Sequence, residues 1–162
     1  MAFRGPGAHR VSMAFDVSPA YPIHSLSTTP SLMIAAITRL RLRSWRFLIP
    51  FIIHANRSQR QAATSAGCVR VITRKTRGLA FWTLSVWESE AQLRAYVGAS
   101  PHRESIPKLA LWCDEAVTTH WNVASRDLPT WEDATAELLR SGRMLRVKYP
   151  SQDHAAKRIN VT

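Results

Sequence analysis

One histidine stands where an imidazole could meet an apolar ligand. His102 follows Pro101, and helical spacing places it on the same face as Ile106 and Leu109. A neutral imidazole on such a surface can take or give a proton near neutral pH. The other interpretation is a histidine near a helix N-terminus that is solvated or bonded locally. Pro107 would favour that interpretation if it interrupts the helix.

A second histidine, His120, lies on a predicted strand. The alternating pattern places its side chain on the same side as Thr118 and Asn122. Three hydrogen-bonding side chains in a row on an enclosed sheet predict a polar ligand pocket. The same row could instead form a fully hydrogen-bonded network at a subunit contact. His54, in the middle of a predicted helix and beside polar neighbours, is interpreted as a surface residue.

Three arginines alternate along the first predicted strand. Arg39, Arg41 and Arg43 would point to one side, and Leu40 and Leu42 to the other. Parallel guanidinium groups repel one another unless they are solvated or paired with anions. The row therefore predicts either an open, solvated face or a site for an anionic ligand such as a carboxylate or a phosphate.

Two tryptophans are candidates for stacking on a flat ligand. Trp82 and Trp121 lie on predicted strands, although packing in the core is the more frequent role of such side chains. Cys113 is a weak candidate nucleophile, since the neighbouring carboxylate of Asp114 favours the protonated thiol. The sequence contains neither a catalytic-triad pattern nor a phosphate-binding loop.

Alternating strands and helices must carry these residues. The capping-box spacing at Ser89 predicts the start of one helix, and Thr130 with Asp133 predicts the start of another. The predicted segments are a strand over 37–43, a helix over 45–66, strands over 69–75 and 79–87, a helix over 89–97, a helical segment from 100 or 105 to 113, a strand over 115–124 and a helix over 130–141. The order β-α-β-β-α-β with one extra C-terminal helix predicts an α+β fold of the ferredoxin-like type.

The strand over 79–87 is apolar on both sides, with Trp82 and Leu84 on one and Phe81 and Trp87 on the other. Such a strand must be covered on both faces. The helices of a ferredoxin-like unit cover one face of the sheet, so a second copy of the chain is the simplest cover for the other. The pattern therefore predicts a homodimer joined through sheet faces.

Composition sets the broad class. The 162 residues include 22 Lys and Arg against 11 Asp and Glu, a formal net charge of +11. This excess attracts polyanions, but the sequence has no basic block and no nucleic-acid-binding motif, so a nucleic-acid partner is not favoured. The chain has only two cysteines, and no apolar run reaches the roughly 20 residues of a membrane span. The expected location is the cytoplasm.

One ordered domain is expected. Residues 1–32 are rich in Gly, Pro and Ser without periodicity, which predicts a flexible leader; a transit peptide is the weaker interpretation. The ordered domain is expected over 33–150, and a polar, basic tail over 151–162.

Several segments resemble the antibiotic-biosynthesis-monooxygenase-like group of proteins. They are residues 81–89 (FWTLSVWES), 93–96 (LRAY) and 100–103 (SPHR), which occur in the same order in that group. Within the group, the chain is similar to the small proteins related to spheroidene monooxygenase and to uncharacterised relatives. The resemblance spans residues 37–121.

This resemblance implies a dimeric α+β barrel with a ligand pocket between each sheet and its helices. The implied function is that of a small monooxygenase-like oxidoreductase, with or without haem, acting on a mostly apolar small molecule, with or without an anionic group. In haem-binding relatives a histidine on the corresponding helix ligates iron, so His102 is the metal ligand if haem is bound. The expected site comprises His102 and His120 as catalytic residues, His102, Arg41 and Trp82 as cofactor contacts, and Arg39, Arg43, Trp121 and Asn122 as substrate contacts. A non-catalytic ligand-binding or assembly protein on the same fold is the alternative.

Overall fold

The computed structural model describes residues 32–161, so the expected leader lies outside the described residues except for Leu32. The regular elements within this range are β1 (Met33–Leu42), α1 (Leu48–Thr64), β2 (Cys68–Lys75), β3 (Ala80–Trp87), α2 (Glu90–Gly98), α3 (His102–Trp112), β4 (Cys113–Val123), α4 (Trp131–Ser141), β5 (Arg143–Met144) and α5 (Gln152–Ala155). Short 3₁₀ turns precede α1 and β3.

The strands form one antiparallel sheet in the order β2-β3-β1-β4-β5. The central strand β1 pairs with β3 on one side and with β4 on the other, so that Thr38 lies opposite both Thr83 and Thr118. The βαββαβ order on this sheet is the ferredoxin-like α+β arrangement. The predicted fold class is therefore confirmed, with a short fifth strand added at the β4 edge.

One face of the sheet, here called the α4 face, is covered by α4 and by residues near the C-terminus. Its core consists of Ile37, Trp82, Leu84, Val117, Ala134 and Leu138. Ile159 and Val161, from the stretch expected to be a polar tail, pack against the same core. The fully buried Leu138 of α4 shows how tightly this cover fits.

This cover removes the reason for which a homodimer was predicted. β3 is apolar on both sides, as expected, but the structure supplies the second cover from the same chain rather than from a second copy. Leu84 and Val86 are fully buried within a single chain. The sequence argument failed at this point because α4 was not assigned to a face. The homodimer remains a prediction that rests on family resemblance.

Helix boundaries follow local hydrogen bonding. The hydroxyl of Ser89 accepts the backbone N–H of Gln92, and that of Thr130 accepts the backbone N–H of Asp133, which confirms both predicted caps. α1 begins at Leu48 rather than at residue 45 as predicted, because a 3₁₀ turn over Trp45–Phe47 precedes it, and Ser44 before that turn makes no capping bond. α1 ends at Thr64, and Gly67 then turns the chain into β2 with a φ of 75°. A Cβ at this glycine would collide with Gln92.

The helix α3 runs without interruption past its proline. Pro107 lies inside a continuous α-helix from His102 to Trp112. Ser105 is a buried residue within that helix and not its N-cap. His102 therefore occupies the first turn of an intact helix. Pro107 therefore does not interrupt the helix, as the predicted position of His102 required.

The opposite face of the sheet, here called the cleft face, carries α1, α2 and α3. Its apolar contacts form two separate clusters. One contains Leu42, Phe51, Leu79 and Cys113, and the other contains Ile34, Ala62 and Trp87. The strand positions between the two clusters carry small or hydroxyl side chains, including Ala36 and Thr38. A gap therefore remains between sheet and helices.

Candidate functional site

The gap on the cleft face is a large cleft floored by threonines. Thr73, Thr83, Thr38 and Thr118 lie side by side on β2, β3, β1 and β4, and Arg143 on β5 continues the row beyond Thr118. The hydroxyls of Thr38 and Thr118 are 2.9 Å apart. Side chains this short cannot fill the space beneath the helices, so the row leaves room for a ligand and offers it hydroxyl groups.

Three helices form the walls of this cleft, which has a volume of about 1850 Å³. α1 contributes His54 and Ser58, α2 contributes Tyr96, and α3 contributes His102 and Ile106. A drug-sized ligand occupies a pocket of roughly 300–1,000 Å³, so a small molecule would fill only part of the cleft. The lining combines hydroxyl and imidazole groups with apolar ends, which suits an amphipathic molecule.

His102 is held in one orientation by three contacts. Its backbone N–H donates to Oε1 of Gln61 on α1 over 2.7 Å, and its ring lies 4.6 Å from the ring of Tyr96. Nδ1 lies 3.3 Å from the carbonyl oxygen of Val97, which fixes Nδ1 as the protonated nitrogen. Nε2 has no hydrogen-bond partner among residues 32–161. This atom is therefore free to accept a proton from a ligand.

Burial lowers the pKa of His102 from its ordinary value, and the hydrogen bond to Val97 opposes that shift. A desolvated imidazole favours the uncharged form, because the charged form loses hydration. At neutral pH the ring is neutral, with a lone pair at Nε2. This is the protonation state that a general base requires.

His54 is a functional candidate that the sequence analysis assigned to the surface. In the structure it is half-buried and lines the cleft. Nζ of Lys108 donates to Nε2 of His54 over 3.0 Å, and Nδ1 of His54 faces the hydroxyl of Ser105 at 3.2 Å. That hydroxyl donates in turn to the carbonyl of Pro101. The chain of donors is consistent only with a neutral His54 protonated on Nδ1.

The pKa of His54 is lowered first by desolvation and then by the charges of Lys108 and Arg57. The sequence did contain a signal for this position. His54, Ser58 and Gln61 are spaced i, i+4 and i+7, which places them on one polar stripe of α1. That stripe faces α2 and α3, where Oε1 of Gln61 accepts from the backbone N–H of His102 and the backbone carbonyl of Ser58 accepts from the hydroxyl of Tyr96.

His120 lies at the rim of the cleft face and is more exposed than the other two histidines. Its Nε2 is 3.4 Å from a carboxylate oxygen of Glu90, and about half of the side chain is solvent-accessible. Asn122 is exposed two residues further along β4. The structure thus places His120, Thr118 and Asn122 on one side of β4 as predicted, with Thr118 in the floor and the other two outside it.

Four of the predicted site residues lie on the α4 face, separated from His102 by the sheet. Nη1 of Arg39 bonds Glu115 at 2.5 Å, and Arg41 forms a bidentate pair with Asp114 at 2.9 and 3.0 Å. The Trp82 side chain packs in the core with the guanidinium of Arg39 5.6 Å from its ring. Trp121 packs against the same core. The two arginines have their charges paired within the chain, and the two tryptophans pack in the core, so all four side chains stabilise the fold.

Arg43 follows a bulge at the end of β1 and leaves the row of arginines. Its Nε donates to the carbonyl of Leu111, and its guanidinium lies 4.6 Å from each of the rings of Phe47 and Tyr149. Cys113 is fully buried, and burial followed by the charge of Asp114 raises the pKa of its thiol to about 12. A thiol in this state is a poor nucleophile at neutral pH.

Cationic side chains that the sequence analysis did not single out line the open side of the cleft. Arg143, Arg146 and Lys148 are exposed there, and none of the three forms an ion pair within the described part of the chain. Arg143 continues the threonine row of the floor. An anionic group on a ligand would meet its counter-charge at this end.

Three further observations concern metal ligands, cysteines and membrane-crossing helices. Within residues 32–161, no three His, Cys, Asp or Glu side chains are grouped so that they could hold a metal ion. Both Cys68 and Cys113 are free thiols. No helix in the same range has the length and apolar composition needed to cross a bilayer.

Comparison with known proteins places the chain in a family. Residues 51–154 match the family model described as "Domain of unknown function (DUF3291)". No curated protein matches the chain. The matched segment includes α1 from residue 51 onward and the whole of α2 and α3, the three helices that form the walls of the cleft.

Solved structures share the fold at low sequence identity. A conserved protein of unknown function from Bacteroides thetaiotaomicron, described as a possible oxidoreductase, is 16% identical with a TM-score of 0.51 and covers 57% of this chain and 99% of its own. A protein of unknown function from Nitrosomonas europaea is 13% identical with a TM-score of 0.52, covering 62% and 98%. SnoaB, a cofactor-independent oxygenase from Streptomyces nogalater, is 14% identical with a TM-score of 0.46, covering 59% and 94%. The first two show the fold alone.

Proposed function

This chain belongs to the DUF3291 family, and we propose that it is a small monooxygenase-like oxidoreductase acting on a mostly apolar molecule with an anionic group. The observation that carries the proposal is the state of His102. Its ring is neutral and oriented through Nδ1, and its Nε2 is unpartnered among the described residues that line the cleft. The family resemblance in residues 81–103 supports the same function.

The proposed chemistry is proton abstraction followed by reaction with oxygen. Nε2 of His102 removes a proton from an activated CH₂ group of the substrate. The hydroxyls of Thr73 and Thr83 donate hydrogen bonds to the oxygen on which the negative charge develops, since Thr118 already donates to the carbonyl of Ile37 and Thr38 to Thr118. The resulting carbanion gives electrons to O₂. The CH₂ group becomes C=O, and the second oxygen atom leaves as water with both protons. This balance needs no external reductant.

The substrate is placed by its two ends. Its apolar part lies between the walls formed by Tyr96 and Ile106, and its anionic group reaches Arg143 and Arg146. Arg39 and Arg41, the anion contacts expected from the sequence, are already paired with Glu115 and Asp114 on the other face. The proposal therefore moves the anion contact to the β5 end of the cleft.

His102 also fits the requirements of a haem ligand. A neutral imidazole that donates Nδ1–H to a carbonyl and leaves Nε2 free is the usual state of an axial histidine. Haem, when bound, would supply activation of O₂. Arg41 lies outside the lining of the cleft and is paired with Asp114, and the side chain of Trp82 is packed in the core of the α4 face, so neither is proposed as a cofactor contact.

The test uses dithranol, a tricyclic anthrone with an acidic CH₂ group, and measures O₂ uptake with an electrode. We expect wild-type protein to accelerate uptake and His102→Asn to lower kcat by about 10²–10⁴. Asparagine keeps a donor for the Val97 carbonyl but lacks a basic nitrogen. Arg103→Ala, at the exposed next residue of α3, is the matched control and should retain full activity. Equal rates for wild type and His102→Asn would overturn the assignment.

The alternative is a ligand-binding protein without turnover, and the large volume of the cleft favours it. In that case dithranol would quench tryptophan fluorescence on binding without O₂ uptake. Titration with hemin completes the comparison. His102→Asn should remove the shift of the intense hemin band that binding to wild-type protein produces, while Arg103→Ala should retain that shift.

A further inference from the structure

The solvent-facing side of residues 45–60, here called the outer ridge of α1, carries an exposed apolar surface. Ile49 is 75% exposed and Ile53 is 54% exposed, and their i, i+4 spacing places them on one line of the helix surface. Trp45, 68% exposed, precedes them by one turn, and Ile52, 38% exposed, flanks them. Four large apolar side chains on adjacent turns form a patch, whereas single exposed apolar residues are common on any protein.

The same ridge becomes cationic in its second half. Arg57 and Arg60 follow Ile53 at helical spacing and are exposed, and Arg46 is exposed beside Trp45. Glu104 on α3 lies close enough to feel the charge of Arg57, but no carboxylate within the described residues forms an ion pair with these three arginines.

The charge around this ridge is unusually one-sided. Residues 33–87, which form β1, α1, β2 and β3, contain ten Lys and Arg and no Asp or Glu. Residues 88–162 contain ten of each sign. Arg39 and Arg41 are paired with Glu115 and Asp114 on the α4 face, so the unpaired positive charge near the ridge comes from the other cations, including Arg46, Arg57 and Arg60. Such a surface attracts anions over distances of about a Debye length.

We propose that the outer ridge of α1, residues 45–60, docks this protein on an anionic lipid bilayer. Trp45, Ile49 and Ile53 enter the boundary between headgroups and acyl chains, and Arg57 and Arg60 contact lipid phosphates. An interfacial helix has this combination of apolar and cationic residues along its exposed side. The inference goes beyond the proposed oxidation, since docking requires neither His102 nor turnover.

The chemistry of the ridge favours lipid over the two other occupants. Isoleucine side chains gain nothing from a nucleic acid, which is bound through phosphate contacts and aromatic stacking. A two-fold contact between two copies would bring the cations of the two ridges together, either Arg57 with its equivalent or Arg57 with Arg46. Residues 45–60 contain no carboxylate that could pair with them. A bilayer with anionic headgroups offers hydrocarbon and negative charge together.

The position of the ridge links it to the cleft. Ile52 belongs to the ridge and also lines the cleft, and Ile106 and Leu111 are exposed at the cleft as well. When the ridge rests on a bilayer, this apolar margin lies next to the acyl region. An apolar ligand could then pass from lipid to cleft without crossing water.

The experiment is co-sedimentation of the full chain with vesicles of phosphatidylcholine alone and of phosphatidylcholine mixed with phosphatidylglycerol. We expect binding to the mixed vesicles that weakens as salt is raised. Arg57→Gln with Arg60→Gln should lower the partition coefficient on the order of tenfold. Ile49→Ser with Ile53→Ser should lower the partition coefficient by at least as much. It should also remove the blue shift of tryptophan fluorescence that we expect when Trp45 of the wild-type protein enters the bilayer. The control is Leu139→Ser with Arg103→Gln, exposed residues of the same types on α4 and α3, which should bind like wild type.

Several outcomes would overturn the proposal. Equal binding to both kinds of vesicle, or to neither, would remove the role of anionic lipid. If the isoleucine variants change only the oligomeric state in sedimentation velocity, the occupant of the ridge is a second copy. If single-stranded RNA binds through Arg57 and Arg60 regardless of the isoleucines and the vesicles do not bind, the occupant is a nucleic acid. Circular dichroism of each variant shows whether it is folded.

Discussion

The two faces of the sheet differ in how completely their side chains are buried. On the α4 face, Ile37 and Leu84 are fully buried, and even the charged Arg39 and Glu115 are at most 3% exposed. On the cleft face, the neighbouring positions Thr38 and Thr83 are half-buried and remain open to a ligand. A strand alternates between faces residue by residue, so each strand contributes to both.

This difference separates stability from function. The α4 face has its charges paired and its apolar surface covered, so substitutions there should change the free energy of unfolding. The cleft face has histidines and hydroxyls without full sets of partners, so substitutions there should change binding more than stability. A buried polar group without a partner is costly, and its presence at a cleft points to a ligand.

The largest effect should come from breaking the buried ion pair of the α4 face. Glu115→Ala leaves the guanidinium of Arg39 buried without its carboxylate and removes an acceptor from Arg41 and Ser151. We expect a loss of about 3–5 kcal/mol in the free energy of unfolding, measured by urea denaturation. Glu132→Ala, at an exposed position on α4, is the control and should change stability by less than about 0.5 kcal/mol. A small effect of Glu115→Ala would mean that water reaches Arg39.

The double variant Arg39→Met with Glu115→Leu sharpens this test. Removing both charges together avoids an unpaired buried group, so the double variant should be more stable than Glu115→Ala alone. If it is equally unstable, the loss arises from packing around Trp82 rather than from charge.

An intermediate effect should appear as a pH dependence of stability from the cleft face. The pKa of His102 is lowered in the folded protein, so below the ordinary value of 6.5 the unfolded chain binds protons that the folded chain does not. Stability should therefore fall as pH is lowered through 6.5 towards the folded pKa, and it should be independent of this group at higher pH. One histidine contributes at most about 1.4 kcal/mol per pH unit.

Urea denaturation of His102→Asn at several pH values checks the sign. The variant should show a shallower decrease in stability below pH 6.5 than wild type, and the two should change in parallel above it. His54→Asn should also reduce the slope, because the pKa of His54 is lowered too. An unchanged slope in both variants would mean that neither imidazole is desolvated.

The smallest effect on stability should come from the floor of the cleft. Thr83→Val keeps the shape of the side chain and removes a hydroxyl that makes no hydrogen bond within residues 32–161. We expect a change of no more than about 0.5 kcal/mol in the free energy of unfolding, together with weaker binding of dithranol. Thr38→Val, which loses the 2.9 Å contact with Thr118, should cost about 1 kcal/mol. A larger loss for Thr83→Val than for Thr38→Val would contradict this account of the floor.

Local patterns predicted the elements, whereas long-range packing decided the site. Strand alternation and the caps at Ser89 and Thr130 depend on neighbours in sequence, and both were read correctly. The alternation of Arg39 and Arg41 was also correct. Their partners Asp114 and Glu115 lie more than seventy residues away, and no local pattern specified them.

The same limit applies to the helices. The position of His102 in an intact helix was readable from spacing, but the contact of Nδ1 with Val97 depends on the turn between α2 and α3. His54 was assigned to the surface because the orientation of α1 depends on the sheet beneath it. The face taken by α4 was not predictable either, since an amphipathic helix can pack on whichever apolar surface its connection reaches.

The pairing of arginines from β1 with carboxylates from β4 has a consequence for the order of synthesis. When the ribosome has produced residue 87, the stretch 33–87 holds ten cations and no acidic side chain, so Arg39 and Arg41 do not yet have the carboxylates with which they pair in the fold. The charges of Arg39 and Arg41 on β1 are neutralised only after Asp114 and Glu115 have left the exit tunnel. We therefore expect the sheet to close late, and we expect a truncated product ending before β4 to be a strongly basic, unfolded polypeptide that quality-control proteases recognise.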